Sequence, residues 1–255
     1  MDKQVLLKNF GDDDRTEVLN LYEKYIMAKE RDIPLFGNNF YSPNVWKFFE
    51  KSLGSKEFSI SSNGYFEDSE RRMIAFNNIY EIPFPFKMIK ITNSSKFSTL
   101  SHRDFLGALL ALGIKRTKIG DLLVNDNCCY FPVCEEISDF VIENLKSVGK
   151  SPCNVAILPN DFIPPVVQFL EMVILVQSLR VDAIISKIAK VSRDKAQKMI
   201  NEGKVLIDYN LVKSKSLEIQ TGERITIRGF GKFILGDILG NSKSGKFRVA
   251  IKKYT

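Results

Sequence analysis

The sequence predicts an α+β protein in three parts: a small helical unit at the N-terminus, a βαββαβ middle domain, and a basic C-terminal module of two short helices followed by strands. Three observations carry this. The chain has 255 residues, more than one average domain needs. Apolar residues first recur at helical spacing, then switch to strand-like alternation broken by two helical stretches. Charge is also unevenly divided. Residues 177–255 hold 17 Lys+Arg against 7 Asp+Glu, an excess of +10, while the remaining 20 bases and 23 acids leave residues 1–176 at −3. The boundaries read as 1–70, 71–160 and 177–255, with a linker strand at 161–176.

In the first part, DRTEVLNLYEKYIMAKE (14–30) sets Val18, Leu19, Tyr22, Tyr25 and Ile26 on a helical stripe. PNVWKFFEKSL (43–53) opens with Pro43 at a helix start and carries Val45, Trp46 and Phe49. The turn-rich RDIPLFGNNFYS connects the two. Strands follow at 72–80 and 86–92, a helix at 101–113, and strands at 119–125 and 127–133 joined by a tight Asn-Asp turn. A helix at 135–148 and a strand at 154–159 close the set. From residue 86 the order is the split βαβ, ferredoxin-like pattern, also that of the RNA-recognition motif. That motif stacks bases on third-strand aromatics. Tyr130 and Phe131 are offered here, but they read as divided between surface and core, so the helix 101–116 end is the expected RNA-facing surface.

That stretch, SHRDFLGALLALGIKR, contains the only histidine of the chain. Ser101 and Asp104 have capping-box spacing, which gives Asp104 a structural role. Phe105, Leu106, Leu109, Leu110 and Leu112 form the expected apolar face, and Gly107 and Ala108 are expected to allow close packing. His102, Arg103 and Asp104 in the first turn, with Lys115 and Arg116 at the far end beside Lys118, are candidate RNA contacts.

The prolines at 159, 164 and 165 mark the linker. Beyond it the chain reads as helix, tight turn, helix, with Ser192 as N-cap and Gly203 as C-cap of the second helix. Strands are expected at 205–208, 217–220, 224–228, 232–238 and 246–252. Arg180, Lys187 and Lys190 lie on the first helix; Arg193, Lys195, Gln197 and Lys198 lie on the second, with Lys204 just beyond. Arginine forks and lysine point charges suit phosphate oxygens, and Ser192 with the free amides at a helix start adds an anion site. Asp182 is expected to orient Arg180 or cap its helix.

The same residues carry a resemblance. Leu179-Arg180-Val181-Asp182, then Ser192-Arg193-Asp194-Lys195-Ala196, then MINEGKVLID and TGERITI, resemble the S4 RNA-binding domain of αL type, with Asp208 where Asn is common and Glu223 where Asp is common. Together with YIMAKERDIPLFGNNFYSP, SHRDFLGALLALGIKRTKIGDLLV and IRGFGKF, nearly the whole chain resembles the YlmH-type bacterial proteins, which have a helical N-terminal unit, an RRM-like middle and a C-terminal S4 domain. The resemblance implies a ribosome-associated factor without catalytic activity that binds ribosomal RNA of the large subunit and peptidyl-tRNA. It acts alongside other ribosome-rescue factors while the nascent chain is tailed. It also implies a link to cell division.

Other classes fit less well. An S4-bearing pseudouridine synthase is the main rival, because HRDFLGALL approaches its catalytic-aspartate motif and would make Asp104 the catalytic residue. The Leu before the Asp and the Thr-x-Gly after it are missing, and the S4 domain stands last rather than first. A methyltransferase needs a Gly-rich strand-to-helix turn, yet Gly229-Phe230-Gly231 lies between strands. Cys128, Cys129, Cys134 and Cys153 lack paired zinc spacing and read as free cytosolic thiols, so no metal or other cofactor is expected. No apolar run is long enough to span a bilayer, and the first 30 residues are unlike a signal peptide. The expectation is a cytoplasmic monomer with no membrane partner.

Overall fold

A computed structural model describes residues 6–7, 9–11, 15–165 and 169–254. The chain forms two compact units, Met1–Pro165 and Val166–Thr255. The first two expected parts thus share one unit.

The N-terminal region is helix and sheet, not helices alone. Helices α1 (Arg15–Arg31) and α2 (Pro43–Leu53) pack on a three-stranded antiparallel sheet ordered β1 (Leu35–Phe36), β3 (Met73–Phe76), β2 (Ile60–Asn63). Met73–Phe76, expected in the middle domain, is the central strand here, and all four of its residues are buried. Ile74 and Phe76 join Leu21, Tyr25, Trp46 and Phe49 in one core. The boundary at 70/71 therefore cuts through a packed region. It is crossed further by Asp121, whose Oδ2 accepts from the backbone N–H of Glu70 and of Arg71, and by the Phe40 N–H, which donates to the Thr117 carbonyl (2.7 Å).

The middle of the chain follows the expected order. Strands β4 (Phe86–Asn93), β5 (Leu123–Asn125), β6 (Cys128–Cys134), β7 (Ser147–Val148) and β8 (Ser151–Ile157) form an antiparallel sheet in the order β5-β6-β4-β8-β7. Without the short β7 edge, this is the ferredoxin-like arrangement. Asp126 and Asn127, both at positive φ (47° and 61°), make the two-residue β5–β6 turn that matches strand twist. Helices α3 (His102–Ala111) and α4 (Ser138–Asn144) cover one face, where Phe105, Leu109 and Val141 meet Ile89, Ile91, Cys129 and Phe131. The helix expected over 135–148 is only seven residues long, because Ser147–Val148 turns back around Gly149 to pair with Ser151 and Pro152. On α3, Leu110 is 39% exposed, since it lies a full helical step past the Phe105/Leu109 face. Gly107 has open space where a Cβ would be, so close packing does not require it.

The C-terminal unit is a six-stranded antiparallel sheet covered by two helices. Its strands are β9 (Phe169–Val176), β10 (Val205–Ile207), β11 (Asn210–Leu211), β12 (Arg224–Ile227), β13 (Gly231–Asn241) and β14 (Phe247–Tyr254), ordered β11-β10-β12-β13-β14-β9. The expected linker strand is therefore integral to this unit: β9 pairs along its whole length with β14, from Phe169↔Tyr254 to Val176↔Phe247. The strand expected over 217–220 is reduced to a bridge between Arg180 and Glu218. Helices α5 (Val181–Ile188) and α6 (Arg193–Asn201) bury Ile184, Ile185, Ile188, Ala196, Met199 and Ile200 against the sheet. Burial of such side chains, about 1.5–3 kcal/mol each, fixes the helix pair on its platform.

Candidate nucleic-acid interface

The turn between α5 and α6 decides which side chains meet. Each helix ends in the same backbone motif. After α5, Lys190 N–H donates to the Lys187 carbonyl and Val191 N–H to the Ser186 carbonyl; after α6, Gly203 N–H reaches Ile200 and Lys204 N–H reaches Met199. Both are Schellman caps, which place one residue in the left-handed region. At α6 that residue is Gly203 (φ 67°), the expected C-cap glycine; at α5 it is Lys190 (φ 53°). Lys190→Gly should therefore raise the stability of this unit by about 0.5–1 kcal/mol, read as a higher denaturant midpoint. An unchanged midpoint would show that the αL lysine carries no strain. Ser192 caps α6 as expected, its hydroxyl accepting from the Lys195 N–H (3.3 Å).

This geometry returns α6 to the start of α5 and gathers four side chains. The Asp182 carboxylate is fully buried (0% exposed). Arg180 donates to it through Nε and Nη2, both at 3.2 Å, and Arg193 through Nε (3.0 Å) and Nη2 (3.1 Å). Gln197 adds Nε2 at 3.0 Å. Burial pushes the Asp182 carboxyl up, but the hydrogen bonds from Arg193, Arg180 and Gln197 outweigh it, and the group lies far below the usual carboxylate range. The carboxylate is thus ionised and its acceptor sites are filled. Each guanidinium has five N–H donors and commits two to Asp182. The Arg180 and Arg193 side chains remain 35% and 49% exposed, so both present cationic forks held by a buried anchor. The cluster carries one net positive charge, two guanidiniums against one carboxylate.

The other expected contacts in this unit are distributed around that anchor. Lys187, Lys195, Lys198 and Lys204 are all exposed, and Lys204 forms an ion pair with Glu202 (2.7 Å). Gln197, expected to face RNA, instead orients Asp182, and its Oε1 lies 3.5 Å from Lys215 Nζ. Lys215 was not among the expected residues; its position in a loop eighteen residues from Gln197 gave no local signal. Asp208 occupies a positive-φ position (44°) in the β10–β11 turn, and its Oδ1 accepts from the Arg224 N–H (3.1 Å). A short polar side chain tolerates that conformation, whether Asp or Asn.

In the N-terminal unit, His102, Arg103 and Asp104 are exposed on the first turn of α3. Asp104 Oδ2 accepts from the Ser101 N–H (2.8 Å) and hydroxyl (2.7 Å), and these bonds hold its carboxyl below the usual range. Lys115 is exposed, but Arg116 is taken up by the chain: Nη1 donates to the Ile119 and Gly120 carbonyls. Lys118 likewise bonds the Asn38 carbonyl and Glu136. On the opposite face of the sheet, the Tyr130 ring is stacked by Phe162 (5.5 Å between centroids, 12° between planes), and Lys90 sits over it at 5.6 Å. Phe131 is fully buried. The four cysteines are free and buried. Burial pushes the Cys134 thiol up to about 12 and raises Cys129 further, which makes them core groups rather than nucleophiles. Among the described residues no helix is long and apolar enough to cross a membrane.

Two short Schellman-capped helices, a polar anchor between them and strands that complete a basic unit define an S4-domain protein. The S4 domain family model matches residues 179–225, and a model described as "Putative RNA-binding domain in YlmH" matches residues 81–161. The chain thus carries two matched regions, one similar to the RNA-binding domain of YlmH and one to the S4 domain. It is similar to the Ribosome-associated protein quality control protein P2 of Bacillus subtilis (strain 168), with 26% identity over 254 residues, covering 97% of this chain and 98% of that one. A solved structure titled Cell division protein ylmH from Streptococcus pneumoniae is 25% identical, covers 59% of this chain and 93% of its own, and superposes with a TM-score of 0.47.

Proposed function

We propose that this protein is a non-enzymatic factor that binds RNA of the large ribosomal subunit, and peptidyl-tRNA upon it, during rescue of stalled ribosomes. The observation that carries the reading is the buried Asp182 holding Arg180 and Arg193 in fixed, half-exposed positions on a strongly basic unit. Such forks suit phosphates, and preorganisation lowers the entropy cost of engaging them. Similarity along nearly the full length to a protein named for ribosome-associated quality control supports the ribosome as the site of action. The role entails a cytoplasmic location and work alongside other rescue factors, and a monomer suffices for it. In a sucrose gradient at moderate salt the protein is expected to travel with large subunits. Sedimentation only with free RNA or at the top of the gradient would overturn the ribosomal assignment.

The rival reading is an RNA-modifying enzyme acting through Asp104. Against it stands the bonding of that carboxylate to Ser101, which supports a helix-capping role. Asp104→Asn is expected to cost about 0.5–1 kcal/mol through the weakened cap and to abolish no turnover. Uridine isomerisation by the wild type that this variant abolishes would establish the enzyme instead.

A further inference from the structure

The motif IRGFGKF has no part in the Asp182 cluster. Ile227 pairs with Gly231, leaving Arg228, Gly229 and Phe230 as a three-residue turn between β12 and β13, closed by the Phe230 N–H bonding the Ile227 carbonyl (2.9 Å). Gly229 (φ 87°) and Gly231 (φ 120°) take conformations that only glycine adopts freely, which keeps the turn tight. Arg228 is exposed, and Phe230 is 41% exposed. The Arg228 N–H donates to the Lys204 carbonyl (2.9 Å), which fastens the turn beside the end of α6. Lys253 comes close as well: a Cβ on Gly231 would lie 3.6 Å from its Cε. Two residues past the turn, the Lys232 ammonium lies 5.1 Å from the Tyr209 ring centroid and 3.0 Å from its hydroxyl.

We infer that this turn is a second RNA contact, in which an unpaired base stacks on Phe230 while Arg228 engages a neighbouring phosphate. The inference rests on the RNA-binding reading above and adds to it a site for single-stranded or looped-out RNA. One exposed aromatic ring is ordinary on a protein surface. Here the ring stands on a tight turn beside exposed Arg228, within a basic unit; the nearby lysines are engaged locally, Lys204 with Glu202, Lys232 with Tyr209 and Lys253 over the Phe233 ring (6.0 Å). An apolar protein partner would call for a broader apolar patch. An exposed ring and an exposed guanidinium two residues apart in one turn match a nucleotide, which offers a π-face and a negative charge together. Duplex RNA keeps its base faces stacked internally, so the ligand is unpaired RNA.

The test uses the full-length protein and two labelled probes, a single-stranded RNA of roughly ten nucleotides and a duplex of the same length, read by fluorescence anisotropy. Phe230→Ala is expected to weaken single-strand binding about tenfold and to leave duplex binding unchanged. Phe230→Trp should retain wild-type affinity, and Arg228→Ala should flatten the log–log salt dependence for the single strand by about 0.7. Because the ring is 41% exposed, Phe230→Ala should lower the melting midpoint only modestly, and the unchanged duplex binding separates that effect from lost stacking. Wild-type binding that Phe230→Ala leaves intact, or an equal loss on both probes, would overturn the stacking site alone. Failure of the wild type to bind either probe would remove the RNA reading of the whole unit.

Discussion

Replacing Arg180 and Arg193 together by alanine is expected to reduce affinity for large subunits at least tenfold at moderate salt and to make binding less salt-dependent. Each guanidinium keeps donors beyond the two given to Asp182, and each is held where a phosphate oxygen can meet it. Losing two phosphate contacts should lower the log–log salt slope by roughly 1.4–1.8. The double alanine variant also leaves the buried Asp182 with Gln197 alone, so some loss of stability accompanies it. Arg180→Lys with Arg193→Lys separates the two effects. It keeps both charges, so the salt slope should stay near that of the wild type, while affinity falls because an ammonium cannot reproduce the bidentate fork. The measurement is co-sedimentation with purified large subunits across a salt series. Unchanged binding by the double alanine variant would remove these arginines from the interface.

The parts of this arrangement that the sequence makes legible are those set by neighbours a few residues apart. Ser192 as a cap and Gly203 at a helix end follow from short spacings, and the tight turn expected at Asn125-Asp126 falls one residue later, at Asp126-Asn127. The Asp182 cluster is half legible. Arg180 lies two residues away and is an evident partner, but Arg193 and Gln197 reach the same carboxylate only because Lys190 takes a left-handed conformation and turns α6 back. No propensity argument places a lysine there. Long-range pairing hid more. β9 follows a proline-rich stretch and reads as a connector, and only its ladder with β14, more than seventy residues on, makes it a strand of this sheet. Ile60–Asn63 is too polar to look like a strand, yet it pairs with the fully buried β3. Arg116 reads from sequence as a surface cation, although its guanidinium serves the carbonyls of its own loop. Charge and spacing identify candidates; the backbone path determines which of them remain available to a ligand.

Asp182→Asn tests that distinction most directly, because two simple arguments predict opposite signs. Counting charge alone, removing an acid from a basic surface should strengthen binding to a polyanion. The structure predicts weakening: the amide offers two donors to arginines that need acceptors, so both forks lose their fixed positions, and affinity should drop about tenfold despite the added positive charge. Stability should fall as well. Breaking a buried ion pair from one side costs about 3–5 kcal/mol, and the half-exposed arginines can rehydrate, so about 2–3 kcal/mol is expected here. The pH dependence has a definite sign. The folded-state pKa of Asp182 is depressed, so its contribution is fully present above the unfolded value near ~3.9 and is lost as pH falls below it. The gap between wild type and Asp182→Asn should therefore be widest near neutrality and shrink below about pH 4. The lost stability should appear as a lower midpoint in thermal unfolding followed by far-UV circular dichroism. Tighter RNA binding by Asp182→Asn, with an unshifted transition, would show that the carboxylate neither anchors the arginines nor supports the fold.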